Sequence, residues 1–400
     1  MSAAASAAPG EAQIEGPRVL VVTRRFWPSC SDSTQRLMSW AKSLQSRGAS
    51  LTVLTPRWHS TWSTRIDFCE MPVHRLEYAP TNPMRSARYS RGLSDWVSKH
   101  CSNFDVIYCD AADLEAQIIL TQVPGLHRPP VVIRFDPLEL GDGSDPRWQP
   151  GTRTLDACRR ASIVVAPRAD AHQRLRAAGI QDTKIERIPD ISTPIIRTDM
   201  VRAAARNALA DINHDLFVRS TDRVVVCPLE LTRKSGVEFL IRAIGPLVQD
   251  HRALRVWLLG DSAERGRFYD QLRYNGWHNL IAMPGAFEDL DEVLRVADMC
   301  IIPARGHGLG WLIPKCAASS VPFLTPDSPE LRSMVDSEPT SQLTFRDGDV
   351  ESLREKISQW LHSPIPFRQA IARAREQQAG QPLPAWDSLL ARCAASFSRI

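Results

Sequence analysis

No stretch of the 400-residue chain approaches the ~18 consecutive apolar residues that a membrane-spanning helix needs, so none is expected. Cysteine is present but unpatterned. Nine residues, Cys30, Cys69, Cys101, Cys109, Cys158, Cys227, Cys300, Cys316 and Cys393, contain no C-x-x-C pair. Several sit inside apolar runs, which argues against a metal site and for reduced, buried thiols in a cytoplasmic protein. An excess of one charge is also missing. The net charge is +4 at a sequence pI of 8.6, with both signs mixed along the chain, and no basic stripe is interleaved with aromatics; nucleic acid is therefore not an expected partner. Walker loops, a G-x-G-x-x-G directly after a strand, H-E-x-x-H and G-x-S-x-G are all absent, which removes the usual carriers of ATP, dinucleotide, zinc-protease and serine-hydrolase chemistry. Residues 1–17 have neither the basic head nor the apolar core of a secretory signal, and are expected to form a disordered tail.

What is present is an ordinary globular balance, 43% hydrophobic and 24% charged, over a length that suggests two domains of about 150 to 200 residues each. Short apolar runs alternate with helical patterns. Arg18–Thr23, Leu51–Thr55, Phe104–Asp110, Pro130–Asp136 and Ala161–Ala166 are buried-strand candidates, with helices after the first strand, over Leu114–Gln122 and over Ala169–Ala178. Pro189 and Pro194 bracket an aperiodic segment, so the first domain is placed at 18–192 and the second at 193–380. Strands are expected at Arg223–Cys227, Leu254–Gly260 and Asn279–Gly285, and a final helix at 381–400.

The stretch Ala297–Glu330, ADMCIIPARGHGLGWLIPKCAASSVPFLTPDSPE, carries the most information. A strand closes at Pro303, a loop bears Gly306, Gly308 and Gly310, a helix starts near Trp311, and a second strand stops at Thr325-Pro326. Glycine lets backbone approach a ligand, and a helix start offers free N–H groups to an anion.

This stretch resembles the donor-sugar motif of the group 1, family 4-like retaining glycosyltransferases, P-S-x-x-E-G-F-G-L-x-x-x-E-A-M-A-x-G-x-P-V-V. Pro303, Gly308, Leu309, Gly310 and Pro322 fall in place, whereas His307 and Lys315 stand where the family has glutamates. The likeness extends along the chain. Phe26, Pro28, Gly48 and Val53–Thr55 fit the amino-terminal pattern, with Ser31-Asp32 in place of its Gly-Gly. RKSGVEFLIRA fits the family's K-G-V-x-x-L-I-x-A, and PAWDSLLARCAASFSRI fits its final helix.

The resemblance implies a GT-B fold of two doubly wound, Rossmann-like α/β domains facing across a cleft, the last helix crossing back to the first. It implies metal-independent transfer of a sugar from a nucleotide-sugar, with retention of configuration, to a glycan, lipid-linked or small-molecule acceptor, and no further cofactor. Arg233 and Lys234 would neutralise the donor diphosphate, Asp136 would act at the acceptor side, and His307, Gly308, Leu309, Gly310, Lys315 and Gly285 would bind the donor. Ser31, Asp32 and Ser33 would face the acceptor. The replaced glutamates also leave open a binding or scaffold subunit that keeps the fold without catalysis, and a nucleotide-sugar epimerase of the same fold. Arg85, Arg88 and Arg91, around Tyr89, read either as a solvated loop or as a contact with an anionic membrane face.

Overall fold

The computed structural model describes residues 16–28, 31–125, 128–137, 151–262, 264–287, 289–304, 308, 310–334, 341–377 and 382–397. In the first half, β1 (Arg18–Val22) leads into α1 (Asp32–Gln45) and β2 (Ser50–Pro56). The β1 run is apolar at each position after Arg18 and almost wholly buried, as a strand covered on both faces must be. Ser31 starts α1 by accepting the Thr34 N–H, and Gly48 turns the chain out of it at φ 92°. A hairpin follows, β3 (Arg65–Phe68) and β4 (Met71–Leu76), antiparallel, turning on Cys69 and Glu70 at φ 49° and 62°. Both turn residues are left-handed, which matches the twist of the strands they join.

The first domain continues with α2 (Pro83–His100), β5 (Val106–Cys109), α3 (Leu114–Gln122), β6 (Val131–Arg134), α4 (Thr152–Arg160), β7 (Ile163–Ala166), α5 (Ala169–Ala177) and β8 (Ile185–Arg187). The strands form one sheet in the order β3-β4-β2-β1-β5-β6-β7-β8, parallel apart from β3. The hairpin and α2 were not anticipated from the sequence. Arg85, Arg88 and Arg91 consequently lie exposed on α2, whose first turn is fixed by Asn82 capping and Pro83, rather than on a loop.

The second domain holds α6 (Asp199–Ile212), β9 (Arg223–Pro228), α7 (Val237–Asp250), β10 (Leu254–Leu259), α8 (Arg265–Tyr274), β11 (Ile281–Gly285), α9 (Asp291–Val296), β12 (Met299–Ile301), α10 (Leu312–Ala318), β13 (Phe323–Pro326), α11 (Pro329–Met334), β14 (Thr344–Phe345), α12 (Val350–His362) and α13 (Ile365–Gln377). Its sheet is all parallel, ordered β11-β10-β9-β12-β13-β14. Strand order reverses beside β9, and the site expected from the sequence lies at that switch point. Asp349 caps α12 by accepting the Ser352 N–H.

The two sheets have separate cores, one in the second domain and one on each face of the first. Between them, 188–198 carries no regular element. The last helix, α14 (Pro382–Phe397), returns to the first domain. It buries Trp386, Leu389, Leu390 and Cys393 in that domain's core, where the Trp386 indole meets Trp40 at 5.3 Å and Tyr108 at 5.6 Å, both edge-on. Arg47 and Arg392 pair with Asp387 and Glu186 across the same contact.

Replacing Trp386 by alanine is expected to destabilise the first domain by about 3 to 5 kcal/mol, the usual cost of emptying a core indole site. In urea unfolding followed by circular dichroism, a transition that stays where the wild type has it would show that α14 is dispensable there.

Candidate functional site

The carboxyl ends of both sheets face one another across the space between the domains, and glycines line the second domain's side. Gly236, at φ 79°, precedes α7; a Cβ there would stand 3.0 Å from the Pro303 carbonyl carbon, so only glycine lets the β9–α7 loop lie against the end of β12. Gly308, at φ 70°, has a would-be Cβ 3.1 Å from Ile302 Cδ1, and its carbonyl accepts the Ile313 N–H at 2.8 Å. Gly285 ends β11 and bonds Gly260. Gly310 lies just ahead of α10, and the amides of Gly310 and Leu312 belong to the end that a helix leaves without internal partners.

Those amides already hold an anion from the opposite domain. The Asp32 carboxylate accepts the Leu312 N–H at 3.1 Å and also bonds the Gly310 amide. Burial pushes the Asp32 carboxyl up to about 6, against the pull of the Leu312 amide, the Arg36 charge and the Gly310 amide; Asp190 adds to the rise. Around this contact Trp311 Nε1 donates to Ser39 Oγ at 3.0 Å, Gln35 donates to the Phe287 carbonyl at 3.3 Å, and Lys42 pairs with Asp289 at 3.0 Å. One face of α1 is thereby pinned to the mouth of the second domain. Ser31 and Ser33 sit beside Asp32, their hydroxyls 3.0 Å apart.

Lys315 is not where the resemblance put it. It is 2% exposed, its Nζ lies 2.8 Å from Asp291 and 2.9 Å from the Thr193 carbonyl, and it stands over the Trp311 ring. This lysine ties α10 to α9 and to the interdomain segment instead of lining a sugar pocket. The cause is local: Asp291 supplies a carboxylate on the neighbouring helix, so a long cation is drawn inward. His307 and Leu309 lie outside the described residues.

Asp136 is likewise an inward group. It is 2% exposed and pairs with Arg134 at 3.0 Å and Arg168 at 2.8 Å, while Arg134 also grips Asp190 at 2.7 Å. Nearby, Arg36 and Asp110, both buried, pair at 2.8 Å. Alternating charges therefore knit the ends of β5, β6 and β7 to α1 and the interdomain segment, and Asp136 is neutralised within that lattice instead of being offered to an acceptor. Sequence reasoning missed Arg36, Asp110, Arg134, Arg168 and Asp190. The available signal was the ending of three runs, YCD, RFD and IPD, in aspartate, with an arginine embedded in an apolar strand.

Arg233 and Lys234 occupy the β9–α7 loop and are exposed. Arg233 is engaged loosely by Glu238 at 3.7 Å and Glu264 at 4.0 Å. Lys234 has no partner among the described residues, which makes it the more available cation. Two Asp-x-Asp runs occur, and both are committed: Asp289 and Asp291 to lysines, Asp349 to its helix cap and Arg346. Among the described residues, no cluster of three metal-ligating side chains exists.

The arrangement thus offers backbone donors at α10, bonded by the Asp32 carboxylate, and, among the described residues, an uncommitted lysine near the start of α7. Residues 222–363 match the family described as glycosyl transferases group 1, and residues 33–190 the glycosyl transferase 4-like domain. No curated protein matches the chain. Among solved structures, Anabaena Alr3699/HepE in complex with UDP and glucose is similar with a TM-score of 0.67 at 14% identity, over 95% of this chain and 100% of that one. Sucrose-phosphate synthase from Thermosynechococcus elongatus gives 0.66 at 14%, over 96% and 98%. WaaG, a glycosyltransferase involved in lipopolysaccharide biosynthesis, gives 0.58 at 16%, over 95% and 99%.

Because the Asp32 carboxyl is raised above its usual 3.8 in the folded chain, the native state binds more protons than the unfolded state between pH 4 and 6. The stability contributed at this position therefore falls as pH rises through that window. Asp32→Asn keeps an accepting oxygen and removes the charge. Its urea midpoint is expected to gain on the wild type from pH 4 to pH 7; parallel pH profiles would show that Asp32 is not the group responsible.

Proposed function

The chain belongs to the group 1 glycosyltransferases, and from that premise we propose that it moves a sugar from a nucleotide-sugar to an acceptor with retention of configuration and without a metal. The observation that carries the reading is the pairing of α10 amides with an anion at the switch point of the second sheet. A group of that charge is what those donors accept, and the donor diphosphate would take the place that Asp32 fills when the site is empty. Lys234 would lie beside the leaving phosphate. As the bond from the anomeric carbon to the phosphate oxygen lengthens, negative charge grows on that oxygen. Fixed amides and a lysine stabilise it more in the transition state than in the bound donor. Attack by the acceptor hydroxyl on the face the nucleotide leaves retains the configuration and needs no nucleophile from the chain.

The acceptor is proposed to meet the first domain near Ser31 and Ser33. Exposed Arg85, Arg88 and Arg91, with Met84 69% exposed on the same helix, support a lipid-linked acceptor approached from an anionic membrane face. Among the described residues, no helix is long and apolar enough to cross a membrane.

A second reading rests on the same contact. If Asp32 holds the α10 amides permanently, and Lys315 is bound to Asp291, the fold would serve as a binding or scaffold subunit without turnover.

Calorimetric titration with UDP-, GDP- and ADP-glucose separates the two. Transfer predicts binding of at least one donor, weakened about tenfold (~1.4 kcal/mol) by Lys234→Ala and tightened by Asp32→Gly, with product of unchanged anomeric configuration by NMR. Silence across the panel, in both the wild type and Asp32→Gly, would rule out transfer and leave the scaffold.

A further inference from the structure

A cavity of about 360 Å³ opens at the edge of the second sheet opposite the candidate donor site. Arg223 begins β9, and Asp298 and Pro322 precede β12 and β13, so the amino ends of three parallel strands form its back wall. The segment joining the domains supplies Arg197, α6 supplies Arg202, and α13 supplies Arg368. Four guanidiniums thus face one space against two carboxylates, Asp199 and Asp298.

The two carboxylates offset part of the positive charge and leave an excess of it. Asp298 is taken by Arg202 and by the Val224 N–H at 2.9 Å, and Asp199 is exposed at the start of α6. Among the described residues, the Arg197 side chain has only carbonyl partners, those of Arg295, Ala297 and Ser320. Burial, then the like charge of Arg202, pulls it down to about 10, so the site disfavours the positive charge it nonetheless contains. Arg202 Nε is buried without a hydrogen-bond partner, and Arg368 has no side-chain partner among the described residues. Arg223 donates to the Leu361 carbonyl and lies 5.7 Å from the centre of the Trp360 ring. Trp360 and Ile371 give the cavity an apolar side.

We propose that this cavity binds a phosphomonoester, its phosphate held by Arg197, Arg202 and Arg368 and its organic stem laid against Trp360 and Ile371. Planar guanidinium forks match phosphate oxygens two at a time, which ammonium groups do not. The volume falls in the range of small-ligand sites. A dianion here meets the positive charge that four arginines keep against two carboxylates. Because Arg197 belongs to the interdomain segment and Arg368 to α13, bound phosphate would clasp that segment to the carboxyl-terminal helices. The site does not depend on the donor reading, since it occupies the other end of the sheet.

Two sources share this chemistry, a soluble sugar phosphate and a phosphatidic acid headgroup. The full-length chain is titrated with ribose 5-phosphate by calorimetry, and in parallel its sedimentation is followed with phosphatidylcholine vesicles with and without phosphatidic acid. Binding in the first arm alone identifies a soluble ligand, and binding to the doped vesicles alone a lipid; either supports the cavity if Arg368→Glu weakens it about tenfold or more and Lys234→Ala leaves it unchanged. Arg368 is exposed, so this variant leaves the interdomain contacts in place. No binding in either arm overturns the proposal. So does binding that survives Arg368→Glu, or that Lys234→Ala removes, since the anion would then be elsewhere.

Discussion

Backbone donors at a helix start cannot be left dry and unpaired, and in this chain that requirement is met from across the molecule. The Asp32 carboxylate reaches the amides ahead of α10, and the remaining contacts of α1 with the second domain are arranged around it. The contact costs the chain a buried charge, visible in the raised Asp32 carboxyl, and such a charge is held only where alternatives are worse. Arg36 stands close enough to moderate it, and Arg36 is itself fixed by Asp110. The mouth of one domain and the charge lattice of the other are thus a single electrostatic unit.

This coupling reaches the positions that the sequence resemblance singled out. Ser31 and Asp32 supply a helix cap and an internal anion. Lys315 turns inward to Asp291 and the Thr193 carbonyl. Each of these side chains is engaged with the chain itself. Among the described residues, Lys234 is paired with no carboxylate, whereas Arg233 has two.

The fold was legible because buried parallel strands are short apolar runs closed by turn residues, a signal that survives any change at the site. The strand read at Arg18–Thr23 forms over Arg18–Val22, and the helix read at Leu114–Gln122 stands at those residues. The β3–β4 hairpin was missed since its strands are short and partly exposed. The site was less legible for a different reason. Whether a charged side chain faces solvent or a buried partner depends on what the fold brings alongside, and Asp291 beside Lys315, or Arg168 beside Asp136, is a fact of three dimensions that spacing does not carry. Asp32 was marked by its motif position, yet its partner lies 280 residues away.

The return of α14 has a consequence for how the chain acquires its shape. Trp386 belongs to the core of the first domain but is made only after every strand of the second. Until Trp386 has emerged, Trp40 and Tyr108 lack their covering indole, while the second domain can already close around β9 to β14. The half of the molecule that is made first is therefore the half that is finished last.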